Sequence, residues 1–581
     1  MAASTSPRAF APYWRAGAWS PLMLARRMVA AAAQPRRSSE AAGEQPDVAS
    51  PATAAAPGGT QPQDRTDRSR GRRLVGAWPL LAVLAVQAAL SLRLLRADTA
   101  SQDEALYLHA GHLEWAHWLH GVSIPPFASY FSGAPVIYPP VGAVADSLGG
   151  LAGARILSLV FMLAATALLW GVAGRLFGRQ AAFFAAALFA LLGTTLHLGA
   201  FATYDAMAVF LVALASWCVI RADDRGPATG WMVAAAVALA LANAAAYSSA
   251  LFDLVVALLA LLTAPRASGG LLAARRVATL LIVTAVLLAA GLLIGGNNYR
   301  DGVRLTILTA VPGSASPASV LANSFFWAGL LLVLALCGVV FSWVGKRSVA
   351  QTVLLAVLFA AAVIGPLEQA HLHTQASLYR HIGLGSWFAA IAAGYAVDRF
   401  IAAAQAGQTR TLTVGACVVA LVFPAGVAFS QSWSLSTNWA NASSFIAIFR
   451  PLADHSTGPI LVEDPSIAEY YSPAGAQWQR WSSTRNIVLP AGVNTGNPAS
   501  AGGLTGAGQP SIYARYIRAG YFSLVALNYT DTTTLDLQIT ADLKRNPHYR
   551  QIQVVPYGIE IPPIGKGTYV IWQYEPARLA G

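Results

Sequence analysis

Apolar runs of about 20 residues recur between Leu74 and Ser430, each ended by Arg, Gly, Pro or a short polar stretch. That is the length a helix needs to cross a ~30 Å hydrocarbon core. The windows lie at 74–95, 154–174, 181–200, 206–221, 231–247, 249–264, 277–294, 319–343, 350–366, 383–398 and 411–430. The pattern predicts a polytopic α-helical membrane protein with about 11 transmembrane helices. An odd count sets the two ends of the bundle segment on opposite sides. Asn243 and Tyr247 are the main polar exceptions within the fifth window.

The period changes in three places. Residues 96–153 hold two amphipathic pieces, about 103–120 and 141–150, set apart by Pro125-Pro126 and Pro139-Pro140. Such pieces lie along a membrane surface better than they cross it. Residues 295–318, with Asn297, Asn298, Arg300 and Arg304, are likewise too polar to be a span. After 430 the apolar runs shorten and alternate. Ile460–Asp464, Phe522–Leu527 and Tyr569–Gln573 read as strands and Ser511–Arg518 as a helix, which predicts a small α/β domain over 431–581. Residues 1–73 are rich in Ala, Pro, Ser, Gln and Arg and lack the apolar core of a signal peptide, so a disordered tail is expected there. The chain thus divides into 1–73, a transmembrane unit 74–430 and the module 431–581. No internal repeat is visible, so the inverted-repeat pattern of many transporters is missing.

Charge orients the pattern. Charged residues are 11% of the chain, against about 25% in soluble domains. The net charge of +12 does not point to nucleic acid, because the Arg residues are dealt out among alternate short loops. Arg175 and Arg179, Arg221 and Arg225, Arg266, Arg275 and Arg276, Lys346 and Arg347, and Arg399 and Arg410 fall on one side, and the acids Asp103, Glu104, Asp146, Asp205 and Glu368 on the other. The positive-inside rule then expects a multi-pass plasma-membrane protein with a cytoplasmic N-terminus and an extracytoplasmic C-terminal domain. Lys occurs only at 346, 544 and 566, which suggests a GC-rich bacterial genome. Cys218, Cys337 and Cys417 each lie in an apolar run without CxxC spacing, so neither a disulfide framework nor a thiolate metal site is expected.

The acids at the outer rim are the candidate chemistry. Asp103-Glu104 follows the first span directly. One reading is a helix start, with Asp103 as N-cap and Glu104 in the first turn. The other is a general base for an acceptor hydroxyl, a task for which one carboxylate suffices when the leaving group is a phosphate. Neighbours on a helix point about 100° apart, so only one of the pair can face a given pocket. Asp205, before the fourth span, either caps that span or orients the acceptor or base. Arg380 and His381, before the tenth, are placed to grip a phosphate or to touch headgroups. His109, His112, His117 and His120 share an arc of about 140°, which a polar face at headgroup level explains without a metal. His371-x-His373 is too short a signal for a metal site, and no Walker A or Ser-His-Asp pattern stands in a convincing context.

Four stretches resemble the GT-C class of membrane glycosyltransferases, near the protein O-mannosyltransferase branch and its bacterial relatives. They are Gln102-Asp-Glu-Ala-Leu-Tyr107, Tyr138-Pro-Pro140 through Ala154-Arg-Ile-Leu-Ser158, Ala202-Thr-Tyr-Asp205, and Ser377-Leu-Tyr-Arg380-His381-Ile-Gly383. The resemblance implies a polyprenyl-phosphate-linked sugar as donor and inverting transfer on the outer membrane face. It implies Asp103 as base, Glu104 or Asp205 placing the acceptor, and Arg380 and His381 on the lipid phosphate. It implies no organic cofactor and leaves a divalent cation open. The sugar-reading MIR module of the eukaryotic enzymes has no clear counterpart, so a glycan or lipid acceptor stands beside protein. The competing class is a transporter or flippase of a lipid-linked precursor, which calls for ionisable residues near the bilayer midplane. A structural scaffold for envelope assembly would leave the outer acids unexplained.

Overall fold

The computed structural model describes residues 63–576 apart from 130, 223–227, 265–268, 309–311, 405–406, 485–486, 489–503, 506–509 and 562–564. Most of the expected tail, 1–62, lies outside the described residues, and the first helix begins at Gln63.

Among the described residues fifteen α-helices precede the C-terminal domain: α1 (Gln63–Leu92), α2 (Gln102–His120), α3 (Tyr138–Phe177), α4 (Arg179–Ala190), α5 (Gly193–Leu198), α6 (Tyr204–Arg221), α7 (Ala228–Ala245), α8 (Asp253–Leu262), α9 (Gly269–Ile294), α10 (Gly296–Val303), α11 (Pro317–Val344), α12 (Val349–His371), α13 (Leu378–Ala403), α14 (Gln408–Ala420) and α15 (Val422–Ser436). Among the described residues seven helical stretches are long and apolar enough to cross a membrane, and three shorter apolar ones accompany them. The windows read from hydropathy fall on helices, with three refinements, the first being that 249–264 begins in the turn Tyr247–Phe252 before α8. The 181–200 window breaks at Leu191-Leu192 into α4 and α5, and the 411–430 window bends at Leu421 between α14 and α15.

The piece expected at 141–150 is the first arm of α3. Pro139 and Pro140 start it rather than merely separating segments, because a first-turn proline gives up no intrahelical donor. It swings into the following span at Gly149-Gly150, where Gly150 has φ 61°, ψ −161°, a backbone shape that a side chain would strain. α13 is the hub, buried nearly all round and packed on α4, α11 and α12. Small residues permit this approach: a Cβ on Gly394 would sit 2.4 Å from the Ala181 carbonyl oxygen.

The C-terminal domain has helices α16 (Ser443–His455), α17 (Ser466–Tyr471), α18 (Pro510–Arg518) and α19 (Thr533–Arg545). Its strands are β1 (Ile460–Val462), β2 (Trp481–Ser482), β3 (Ile487–Val488), β4 (Leu504–Thr505), β5 (Leu524–Leu527), β6 (Tyr549–Ile561) and β7 (Gly565–Tyr574). The main sheet runs β2-β1-β5-β7-β6, with β1 parallel to β2 and β5, and β7 antiparallel to β5 and β6. Alternation along the strands fills two faces. Ile460, Val462, Leu524, Ala526 and Ile571 meet Phe445 and Phe449 of α16, whereas Leu461, Val525, Leu527 and Trp572 meet Tyr513, Ile517, Ile539 and Leu543 of α18 and α19. The strands and helix expected from sequence are β1, β5, β7 and α18; β2, β3, β4, β6, α16, α17 and α19 are additions.

Candidate active site

α2 begins at a capping box. Ser101 is the N-cap, its hydroxyl accepting the Glu104 N–H at 3.2 Å while the Glu104 carboxylate accepts the Ser101 N–H at 3.0 Å. The helix closes at Gly121, φ 68°, whose N–H returns to His117 O at 2.8 Å. The capping role entertained for Asp103 therefore belongs to Ser101, and Asp103 is left free one position away from Glu104.

The two acids diverge as helix geometry requires. Glu104 is fully buried and its carboxylate is saturated: Arg155 Nε and Nη2 donate to it at 2.8 and 2.7 Å, and the Ala202 N–H at 2.8 Å. Arg155 also donates to the carbonyls of Leu95, Asp98 and Thr99. This clasp ties the segment after α1, α2, α3 and the segment before α6 together. Asp103 points the other way and pairs with Arg380 Nη2 at the start of α13. Its side chain is 40% exposed, whereas that of Arg380 is 8% exposed. Asp205, in the first turn of α6, accepts from Thr203 Oγ1 at 2.7 Å and lies 3.6 Å from Arg380 Nε. One guanidinium thus stands between two carboxylates from distant parts of the chain. It also lies over the Phe201 and Tyr379 rings at 5.3 and 5.6 Å.

His381 does not join this group. Its Nδ1 faces Glu368 Oε2 at 3.2 Å and Gln369 Nε2 at 3.1 Å, on the α12 side of α13. The α2 histidines are dispersed as well. His112 Nε2 meets Asp146 at 2.7 Å, His117 Nδ1 meets the Val122 carbonyl at 2.8 Å, and His109 is buried, which with His112 nearby pushes it down to about 4. No group of three His, Cys, Asp or Glu placed to hold a metal ion occurs among the described residues.

Several wall residues were not among the candidate site residues read from sequence, although Tyr107, Tyr204 and Tyr379 lie in the stretches that carry the resemblance. Tyr107 and Tyr204 stand edge to face at 5.1 Å, and Ser132 touches both hydroxyls. His197, Phe201, Tyr379 and Trp439 form an aromatic floor. The capping box was legible as Ser101-x-x-Glu104, and it identifies which acid is held back.

The C-terminal domain roofs the α2 end of the bundle. Trp439 Nε1 donates to Thr99 O at 2.9 Å, the Ala100 N–H to Tyr471 Oη at 2.9 Å, Tyr470 Oη to Asp146 at 2.6 Å and Trp478 Nε1 to Ser123 O at 2.8 Å. Gln102 Nε2 donates to Asp464, one residue from Asp103. Near it Glu469 is pushed up to about 8, first by burial and then by the Asp464 carboxylate. A carboxyl whose folded pKa is raised contributes stability that is complete below its unfolded value and lost as pH rises through the folded one. Glu469→Gln is therefore expected to leave thermal stability unchanged at pH 4 and to raise Tm by about 2–4 °C at pH 8. Melting curves of both proteins across that interval check it; a shift of equal size at every pH would assign the effect to packing.

Residues 147–295 match the model of the dolichyl-phosphate-mannose-protein mannosyltransferase family. No curated protein matches the chain. Among solved structures, ArnT from Cupriavidus metallidurans bound to undecaprenyl phosphate aligns with a TM-score of 0.55 at 16% identity, covering 85% of this chain and 98% of that one. The oligosaccharyltransferase of Archaeoglobus fulgidus, tethered to an acceptor peptide containing the NVT sequon, aligns with a TM-score of 0.51 at 14% identity, covering 85% and 74%. At these identities the structural likenesses establish the fold, and the family match over α3 to α9 agrees with them. The chain is a multi-pass membrane protein of the GT-C fold.

Proposed function

We propose that the protein transfers a sugar, mannose or another hexose or pentose, from a polyprenyl-phosphate donor to an acceptor hydroxyl on the extracytoplasmic face of the plasma membrane. The observation that carries this reading is the Asp103–Arg380–Asp205 group beneath the C-terminal domain. The lipid phosphate takes Arg380, for which guanidinium geometry is well suited, and so frees Asp103 from its ion pair. Asp103, the more exposed acid, then accepts the acceptor's hydroxyl proton. The acceptor oxygen bonds to the anomeric carbon from the face opposite the phosphate, the C–O bond to phosphate breaks, and polyprenyl phosphate departs with the electron pair, inverting the centre. Asp205 holds Arg380 through the transfer and Glu104 holds the helix that presents Asp103. His381, turned toward Glu368, stands one layer behind the phosphate rather than on it.

Support for the orientation comes from the charge pattern of the loops, and for the donor class from ArnT, which binds undecaprenyl phosphate. The division into a tail at 1–73, a transferase unit at 74–430 and a module at 431–581 belongs to the same reading. Protein, glycan and lipid acceptors all present the hydroxyl that the chemistry needs, and the surrounding membrane lipids supply the donor's environment. The test is transfer of radiolabelled sugar from synthetic polyprenyl-phosphate donors by purified protein in detergent. Labelled product supports the assignment. Donor that stays intact but changes leaflet in reconstituted vesicles would replace it with transport.

A further inference from the structure

The polar residues at the junction of α7 and α8 take no part in the reaction above. α7 ends at Ala245, a tight turn over Tyr247–Phe252 follows, and α8 starts at Asp253. This break is fastened to the loop between α2 and α3. The Tyr247 N–H donates to Ser132 O at 3.0 Å, and the Ala134 N–H donates to Ala244 O. Gly133 makes the approach possible, since a Cβ there would meet Ala245 O at 2.0 Å. Ser132 also touches the hydroxyls of Tyr107 and Tyr204, the latter adjacent to Asp205. The turn itself packs on α6, α12 and α13, and so borders the helices that bear Asp205 and Arg380.

A hydrogen-bonded chain of side chains occupies the break. Asn243 Nδ2 donates to Asp253 Oδ2 at 2.7 Å, and Ser249 Oγ donates to Asn243 Oδ1 at 2.8 Å. This hydrogen-bonded chain holds the Asp253 carboxylate with one oxygen committed. Its Oδ1 is buried without a hydrogen-bond partner among the described residues, and the Tyr247 hydroxyl pairs with that of Tyr299. Tyr299 of α10 stands edge-on to Tyr247, with ring centroids 6.3 Å apart. A buried polar atom without a partner is costly, so the open Asp253 oxygen in a pre-ordered cluster asks for a ligand that supplies the missing bond. The available chemistry is a carboxylate acceptor, a phenol and aromatic surface, with no cation among these four side chains. That suits a neutral polyhydroxylated group and disfavours a phosphate, which Asp253 would repel.

We propose that Asn243, Tyr247, Ser249 and Asp253 form the subsite that reads the hydroxyls of the donor sugar. Arg380 takes the phosphate end of the same donor. The subsite rests on the polyprenyl-phosphate donor reading. A site built to bond a hydroxyl discriminates strongly against a ligand that lacks it, so the cluster determines sugar choice and leaves lipid capture to Arg380.

The test is equilibrium binding to the purified full-length protein of sugar-free decaprenyl phosphate and of its mannosyl and arabinosyl derivatives. Wild type is expected to prefer one sugar-bearing lipid over the sugar-free one. Asp253→Asn is expected to weaken that sugar lipid at least tenfold while sugar-free lipid stays within twofold. Tyr247→Phe, which removes a single hydroxyl, is expected to show the same pattern severalfold more weakly. Both variants keeping the wild-type preference, or both lipids weakening alike, would overturn the subsite. Wild type binding neither lipid would instead overturn the donor reading beneath it.

Discussion

Asp103→Asn is expected to lower sugar transfer by about 10³-fold, within the 10²–10⁴ range of general-base contributions, while the protein folds and binds donor lipid normally. Asn keeps the size of the side chain and can still contact Arg380, so the helix start and the phosphate site persist. What disappears is the basic oxygen. The partial exposure of Asp103, beside the buried Asp205 and Glu104, makes it the acid an acceptor hydroxyl can reach. The measurement is single-turnover transfer of labelled sugar together with donor affinity and melting temperature. A fall in turnover with donor affinity retained isolates the proton transfer. Normal turnover in a well-folded Asp103→Asn protein would move the base elsewhere, with Asp205 next in line.

Glu104→Gln tests the opposite property in the neighbouring residue. The Arg155–Glu104 pair is buried on both sides, with side-chain exposures of 2% and 0%. Removing one partner of such a pair leaves an uncompensated buried charge and costs about 3–5 kcal/mol. The expected result is therefore a large loss of stability in detergent, with activity lost in proportion to unfolded protein. Because the cost comes from the orphaned guanidinium, Glu104→Gln combined with Arg155→Met is expected to recover part of it, a coupling that a double-mutant cycle reads directly. Wild-type melting with abolished transfer in Glu104→Gln would make Glu104 a participant in the chemistry instead.

These two neighbours illustrate what local pattern decides and what it leaves open. That Asp103 and Glu104 face apart follows from helical spacing alone, and Ser101-x-x-Glu104 marks the acid drawn back onto the helix start. Which cation each acid meets does not follow, because Arg155 and Arg380 lie far along the chain from α2. Likewise Arg380 and His381 looked like one phosphate grip, yet adjacent positions on α13 point to different neighbours, one to Asp103 and Asp205 and the other to α12.

The positions of the helices were legible for a simple reason. A span must bury about 20 apolar residues in lipid whatever its neighbours are, so hydropathy reports it directly. The strands β1, β5 and β7 were legible because their apolar runs are short, while β6 is punctuated by Arg550, Gln551, Gln553 and Pro556 and hides its period. Asn243 and Tyr247 stood out as polar exceptions, but their meaning depended on a break in α7–α8 and on a glycine in another loop. Sequence by itself therefore determined the spans, the strand-bearing module and a short list of polar residues at the rim. Tertiary structure alone decided which of them share a partner, since an ion pair depends on distances of a few ångströms between segments that the chain brings together only when the bundle closes.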